Sequence, residues 1–248
     1  LILHATEAGA GPPLVLLHGL FGQGQNFREA QRRLAADRRV IALDLRNHGA
    51  SPHATGMDYA SQATDVADTL GLLKAAPCEL LGHSMGGKVA MRLALDRPEL
   101  VARLIVVDIA PVPYPVHFRD YVAAMRALPM EPGLTRGQAD AALAPVVQEP
   151  RVRAFLLQNF RTGSPPAWRF GLDEIAAGLA QIADWAPDGR PYDGPALFVA
   201  GECSDYIRAE HRAAVAALFP AARFATVAGA GHWVHSENLD GFLAAIAG

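Results

Sequence analysis

An α/β architecture, with a mostly parallel sheet covered by helices on both faces, is predicted by three observations. Short apolar runs alternate with helical patterns over both ends of the chain. The runs are continuous rather than alternating in polarity, as strands buried on both faces require. Each run ends in a loop with glycine or polar side chains, the end of the sheet at which such folds bind ligands. With 248 residues, 51% of them hydrophobic, the chain can build one large core and still carry an insertion.

Each element has its own reason. Residues 1–6 read as a short edge strand, 9–13 as a turn and 14–17 as the first buried parallel strand. Residues 25–36 look helical, and 39–43 form the next strand. Over 57–74, Val66, Leu70 and Leu73 share one stripe, the mark of an amphipathic helix. A strand at 78–81 leads into a helix at 85–95, which Pro98 stops because the residue before a proline avoids helical backbone. Residues 104–107 form a strand that ends on Asp108.

Beyond Pro111 the alternation ceases. Helical patterns at 118–128, 135–147, 151–160 and 172–185 are separated by proline and glycine. An all-helical block between two halves of an alternation predicts an inserted helical cap, 111–190, on a core of 1–110 and 191–248. The alternation resumes with a strand at 196–201, a helix at 209–218, a strand at 223–227 and a closing helix from Leu239.

Composition narrows the function. A net charge of −3 without charge clusters gives no reason to expect nucleic acid or an anionic membrane as partner. No apolar run reaches the length of a membrane span. Cys78 and Cys203 have neither metal nor disulfide spacing, so both are expected as free core thiols in a reducing compartment. The first residues lack a basic-then-apolar secretory pattern, and a cytoplasmic location is expected. No metal is expected from that spacing. Oligomeric state is not legible.

The chemistry centres on Gly82-x-Ser84-x-Gly86, between the strand at 78–81 and the helix at 85–95. A serine on so sharp a turn raises its hydroxyl above the sheet, and crowding two positions away on either side leaves room for little but glycine. A serine hydroxyl is a weak nucleophile and needs a general base near neutrality. Of the nine histidines, His232 qualifies: it follows the last strand in the glycine-flanked stretch Gly229-Ala230-Gly231-His232. His83 adjoins the serine but points away along an extended strand. His18 is expected to brace the loop His18-Gly19-Leu20-Phe21-Gly22, and His235 to line the pocket mouth or pack there. The cluster at 44–51, His48 included, is expected to fix a loop rather than to react.

That glycine-rich loop points to an oxyanion hole built from the N–H of Leu20, or of Phe21, with the N–H of Met85 as second donor. The base must be held in one tautomer by an acid. Asp108 and Asp205 both follow strand ends between serine and histidine. Asp108 is favoured because a carboxylate so near the core needs a strong partner.

The segments 18–22, 44–49, 82–88, 107–112 and 229–235 together resemble those of the α/β-hydrolases, more narrowly the small bacterial esterases related to the mitochondrial abhydrolase-domain proteins. The resemblance implies hydrolysis of small to medium acyl esters without a cofactor. It also implies a triad acid from the strand after the nucleophile, which maps onto Asp108, and a Gly-x-x-Ser loop, matching Gly201 and Ser204; Asp205 departs from that pattern. A thioesterase, or a lyase similar to the menaquinone-pathway synthase with cap residues Arg119, Arg126, Arg161 and Arg169 facing an anionic substrate, shares these features, as does a non-catalytic receptor on the same scaffold. A haloalkane dehalogenase would need Asp where Ser84 stands.

Overall fold

The computed structural model describes residues 1–187 and 190–247. Asp188 and Gly189, within the expected cap, and Gly248, at the end of the expected core, lie outside the described residues. In chain order the strands are β1 (Ala5–Ala8), β2 (Pro13–Leu17), β3 (Arg39–Leu43), β4 (Cys78–His83), β5 (Val101–Val107), β6 (Phe160–Arg161), β7 (Ala167–Trp168), β8 (Ala196–Gly201) and β9 (Ala222–Val227). Among the described residues seven of them form one sheet in the order β1-β3-β2-β4-β5-β8-β9, while β6 and β7 pair as a separate hairpin. β1 runs antiparallel to β3, and every other neighbour in the large sheet is parallel.

Helices cover both faces: α1 (Arg28–Leu34), α2 (Tyr59–Leu73), α3 (Met85–Asp96), α4 (Arg119–Arg126), α5 (Arg136–Leu143), α6 (Pro150–Leu157), α7 (Leu172–Ala183), α8 (Arg212–Leu218), α9 (Val234–Glu237) and α10 (Leu239–Ala247). The continuous apolar strands follow from this two-sided cover. In β2, Leu14 and Leu16 pack with Ala30 of α1 and Phe242 of α10, while Val15 and Leu17 pack with Val66 of α2 and Val89 of α3. α2 starts where Asp58 accepts the Ser61 N–H (2.8 Å), an N-cap that fixes its first turn.

Several expectations needed correction. The edge strand begins at Ala5, not Leu1, because the N–H groups of Leu3 and His4 go to the hydroxyls of Thr69 and Ser51 instead of a ladder. The helix expected at 25–36 opens as a 3-10 turn, Gly24–Phe27, and only then becomes α1; Asp44 holds the Gly24 N–H at 2.7 Å. The stretch 209–218 likewise divides into a 3-10 turn, Ala209–His211, and α8. The region between β5 and β8 is not all helical, since the β6–β7 hairpin joins α4–α7 there. Cys78 is buried as expected, but Cys203 is exposed. Among the described residues no helix is long and apolar enough to cross a membrane.

Candidate active site

The strand ends bring the chemistry together. Ser84 caps β4, Asp108 follows β5, and His232 lies on the loop between β9 and α9. Both Ser84 and Asp108 have left-handed backbone (φ 52° and 54°), an arrangement non-glycine residues hold only when their surroundings over-determine it. At the serine the surroundings are the close passage of chain on either side. A Cβ on Gly82 would lie 2.1 Å from the Gly86 carbonyl oxygen, and one on Gly86 2.4 Å from that of Leu17. Only glycine fits there. At Asp108 the backbone N–H still bonds the Val199 carbonyl (2.8 Å) as though β5 continued, while the side chain turns over the sheet end.

His232 Nδ1 is 2.7 Å from Asp108 Oδ2, and His232 Nε2 is 3.1 Å from Ser84 Oγ. A carboxylate can only accept, so Nδ1 carries the proton and Nε2 offers its lone pair to the serine hydroxyl. Asp108 is fully buried and also accepts the Gly201 N–H (3.1 Å) and the Ser204 hydroxyl (2.5 Å). Those donors replace the water its charge has lost. Asp205, the competing carboxylate, points into solvent with its side chain 92% exposed, near Arg208.

The glycine-rich loop after β2 lies beside the serine. Its Phe21 N–H donates to His48 Nε2 (3.1 Å), so it is not available for a ligand. Among the described residues neither the Leu20 nor the Met85 N–H has a protein acceptor. His18 donates from Nδ1 to the Gly19 carbonyl (2.8 Å) and accepts the Leu45 N–H at Nε2 (2.9 Å), bracing this loop. Burial pushes His18 below the ordinary histidine range and His48 down to about 3, so both stay neutral.

Four features were missed in the sequence. His83 does point away from Ser84, but its Nε2–H donates to the main-chain carbonyl of His232 (2.8 Å); burial holds it well below the ordinary range. The Tyr206 ring stacks on the His232 imidazole at 4.1 Å between centroids. Asn159, between α6 and β6, donates to the Phe21 carbonyl (2.7 Å). Lys88, one turn along α3 from the serine, is buried against the rings of Tyr59 and Tyr114 and donates to the Asp184 carbonyl (3.0 Å) at the end of α7. Burial lowers its ammonium to about 7. Of these only Lys88 carried a signal, a charge on the apolar face of an amphipathic pattern. The others depend on contacts between distant segments. His235 is buried beside Phe27 and His83, lowered to about 4 by burial.

Two cavities adjoin Ser84. The larger, about 220 Å³, is lined by His232, Trp233, Phe155 and Tyr121 among others. The smaller, about 50 Å³, is lined by Leu20, Met85, Ile109, Lys88 and Tyr114 among others. Neither is lined by an arginine among the described residues; Arg126 pairs with Asp173 at the surface instead. Among the described residues no group of His, Cys, Asp and Glu is placed to hold a metal ion.

The model of the alpha/beta hydrolase fold family matches residues 12–239. The chain belongs to this family. Its members include the mouse sn-1-specific diacylglycerol lipase ABHD11, 41% identical over 95% of this chain and 80% of that protein. Esterase YbfF of Escherichia coli is 39% identical over 94% of this chain and 91% of its own length. The structure of a marine microorganism esterase, 33% identical, superposes with a TM-score of 0.96 over 100% of this chain and 98% of that one.

Proposed function

We propose that this protein hydrolyses carboxylic esters through Ser84, His232 and Asp108 and an acyl-enzyme intermediate. The observation that carries the proposal is the hydrogen-bonded line from the Ser84 hydroxyl through His232 to Asp108, at 3.1 and 2.7 Å. The esterase and lipase names of relatives at 39% and 41% identity support the same chemistry.

The steps follow from the geometry. His232 Nε2 takes the proton from Ser84 as Oγ attacks the ester carbonyl. The N–H groups of Leu20 and Met85 take the oxyanion, each such donor being worth about 3–4 kcal/mol; Met85 also opens α3, whose N-terminus favours negative charge. His232 then protonates the leaving alcohol. Water repeats the sequence on the acyl-serine and frees the acid. Asp108 stays ionised throughout and holds the ring in one tautomer. No step calls for a cofactor.

The two cavities divide the substrate. The imidazole has to reach the leaving oxygen, and His232 lines the larger cavity. The alcohol portion therefore occupies that cavity, and the acyl chain enters the smaller one. Its 50 Å³, against 220 Å³ for the other, favours short acyl groups such as acetyl to butyryl. Segment 111–190 acts as the cap: Phe118, Tyr121, Val152 and Phe155 wall the larger cavity from that side.

A p-nitrophenyl ester panel graded by acyl length, run on wild type and Ser84→Ala, tests both parts. Wild type is expected to turn over acetyl to butyryl esters best. Ser84→Ala should keep its melting temperature while kcat falls by about 10⁴ or more. Undiminished turnover by Ser84→Ala sinks the mechanism; equal rates on butyryl and dodecanoyl esters sink the cavity assignment alone.

A further inference from the structure

The rings of Phe155 and Trp233 lie 5.4 Å apart and line two spaces at once. The two spaces are the larger cavity at Ser84 and an open cleft of about 700 Å³. A substrate that extends past these two rings enters the cleft. Its lining differs sharply from that of the cavity. Arg136, Arg151 and Arg169 face it, with Glu237 the lone carboxylate among its described lining residues.

Glu237 is already engaged, accepting the Gly231 N–H with one oxygen and lying 3.6 Å from the Arg151 guanidinium with the other. Arg136 spends one N–H on the Phe160 carbonyl (3.1 Å). Neither Arg136 nor Arg169 forms an ion pair among the described residues. Two guanidinium groups without ion-pair partners among the described residues, on a cleft that shares the Phe155 and Trp233 rings with the cavity at Ser84, focus a positive field outward. Their planar donor forks fit phosphate and carboxylate oxygens.

We infer that this cleft is a subsite for an anionic group, phosphate or carboxylate, at the far end of the substrate's alcohol portion. The preferred substrates are then short-chain acyl esters of anionic alcohols. The anion stays outside the Phe155–Trp233 wall during acylation and departs with the alcohol once His232 has protonated it, before water attacks the acyl-serine. This inference rests on the ester-hydrolase reading and on the alcohol portion occupying the cavity lined by His232.

Butyryl monoesters of straight-chain diols with two, four or six carbons test it. The far hydroxyl is left free, phosphorylated, or replaced by a carboxylate, so that spacer length and the kind of anion vary separately. At one spacer length the charged ester should exceed its neutral counterpart in kcat/KM by about tenfold or more, through KM. The ratio of charged to neutral kcat/KM should collapse in Arg136→Gln/Arg169→Gln and shrink as KCl rises. Phosphate outperforming carboxylate names the phosphomonoester as the better fit, and the reverse order names the carboxylate. Turnover of neutral esters with no charge preference at any spacer, or a preference that survives the double variant, overturns the inference and leaves the esterase reading intact. No turnover of any ester, neutral ones included, overturns both.

Discussion

Asp108 leaves β5 through left-handed backbone, and that single turn decides which carboxylate meets His232. In the sequence, Asp108 and Asp205 both stand at strand ends in the right chain order, and only their neighbours distinguish them. The quantity that separates them is spatial: one carboxylate is buried 2.7 Å from the ring, the other is 92% exposed. Asp108→Asn should therefore lower kcat by about 10⁴, because an amide donor favours the wrong imidazole tautomer. Asp205→Asn should stay within about twofold of wild type. Steady-state kinetics on the two variants check this. His83 acts one step further from substrate, by holding the carbonyl of His232. His83→Phe leaves that carbonyl without its donor, at a cost of about 1–3 kcal/mol, and frees the His232 ring to drift. We expect kcat to drop about tenfold at nearly constant KM, and His83→Gln, which keeps an N–H in reach, to restore much of the loss. An equal loss in both variants would mean that His83 only packs.

At the scale of elements, most strands and the turn at Ser84 are readable because they follow a pattern. β3 and β8 fall where the apolar runs place them, and the turn from β4 into α3 was marked by its glycines. What escaped has no period to read. β6 and β7 are two residues each, and α9 is four, too short for periodicity to register. The start of α1 departs from its helical pattern where Asp44, distant in sequence, holds the Gly24 N–H. One close contact between elements is the passage of Gly86 under β2. Gly86→Ala would drive a Cβ to 2.4 Å from the Leu17 carbonyl oxygen and 2.5 Å from that of His18. Because both obstacles are backbone, relief requires moving β2 or α3. We expect a loss of about 2–3 kcal/mol in a denaturant titration, together with activity lost at temperatures where the variant is still folded.

Across the whole molecule, burial of neutral histidines writes a pH dependence into stability. His48 and His235 sit near 3 and 4 when folded, against 6.5 ordinarily. Between those values the unfolded chain binds protons that the folded chain refuses. Stability is thus fully present above about pH 6.5 and is lost as pH falls toward 4. His235→Phe isolates one contribution: the ring lies among Phe27, His83 and Phe242, and its Nδ1 has no partner among the described residues. The variant should gain on wild type as pH drops from 7 to 5, and melting temperatures at several pH values would show a widening gap. A constant gap would mean that His235 does not titrate on unfolding.

The amide of Asn159, finally, ties the segment between β5 and β8 to the loop that carries the Leu20 N–H, through the Phe21 carbonyl. Two segments that wall the larger cavity are thereby pinned to each other. A foreign segment grafted between β5 and β8 would leave that loop in place only if it brought an equivalent peg to Phe21. Without it, the newcomer would reshape the chamber and slacken the loop beneath it in the same stroke.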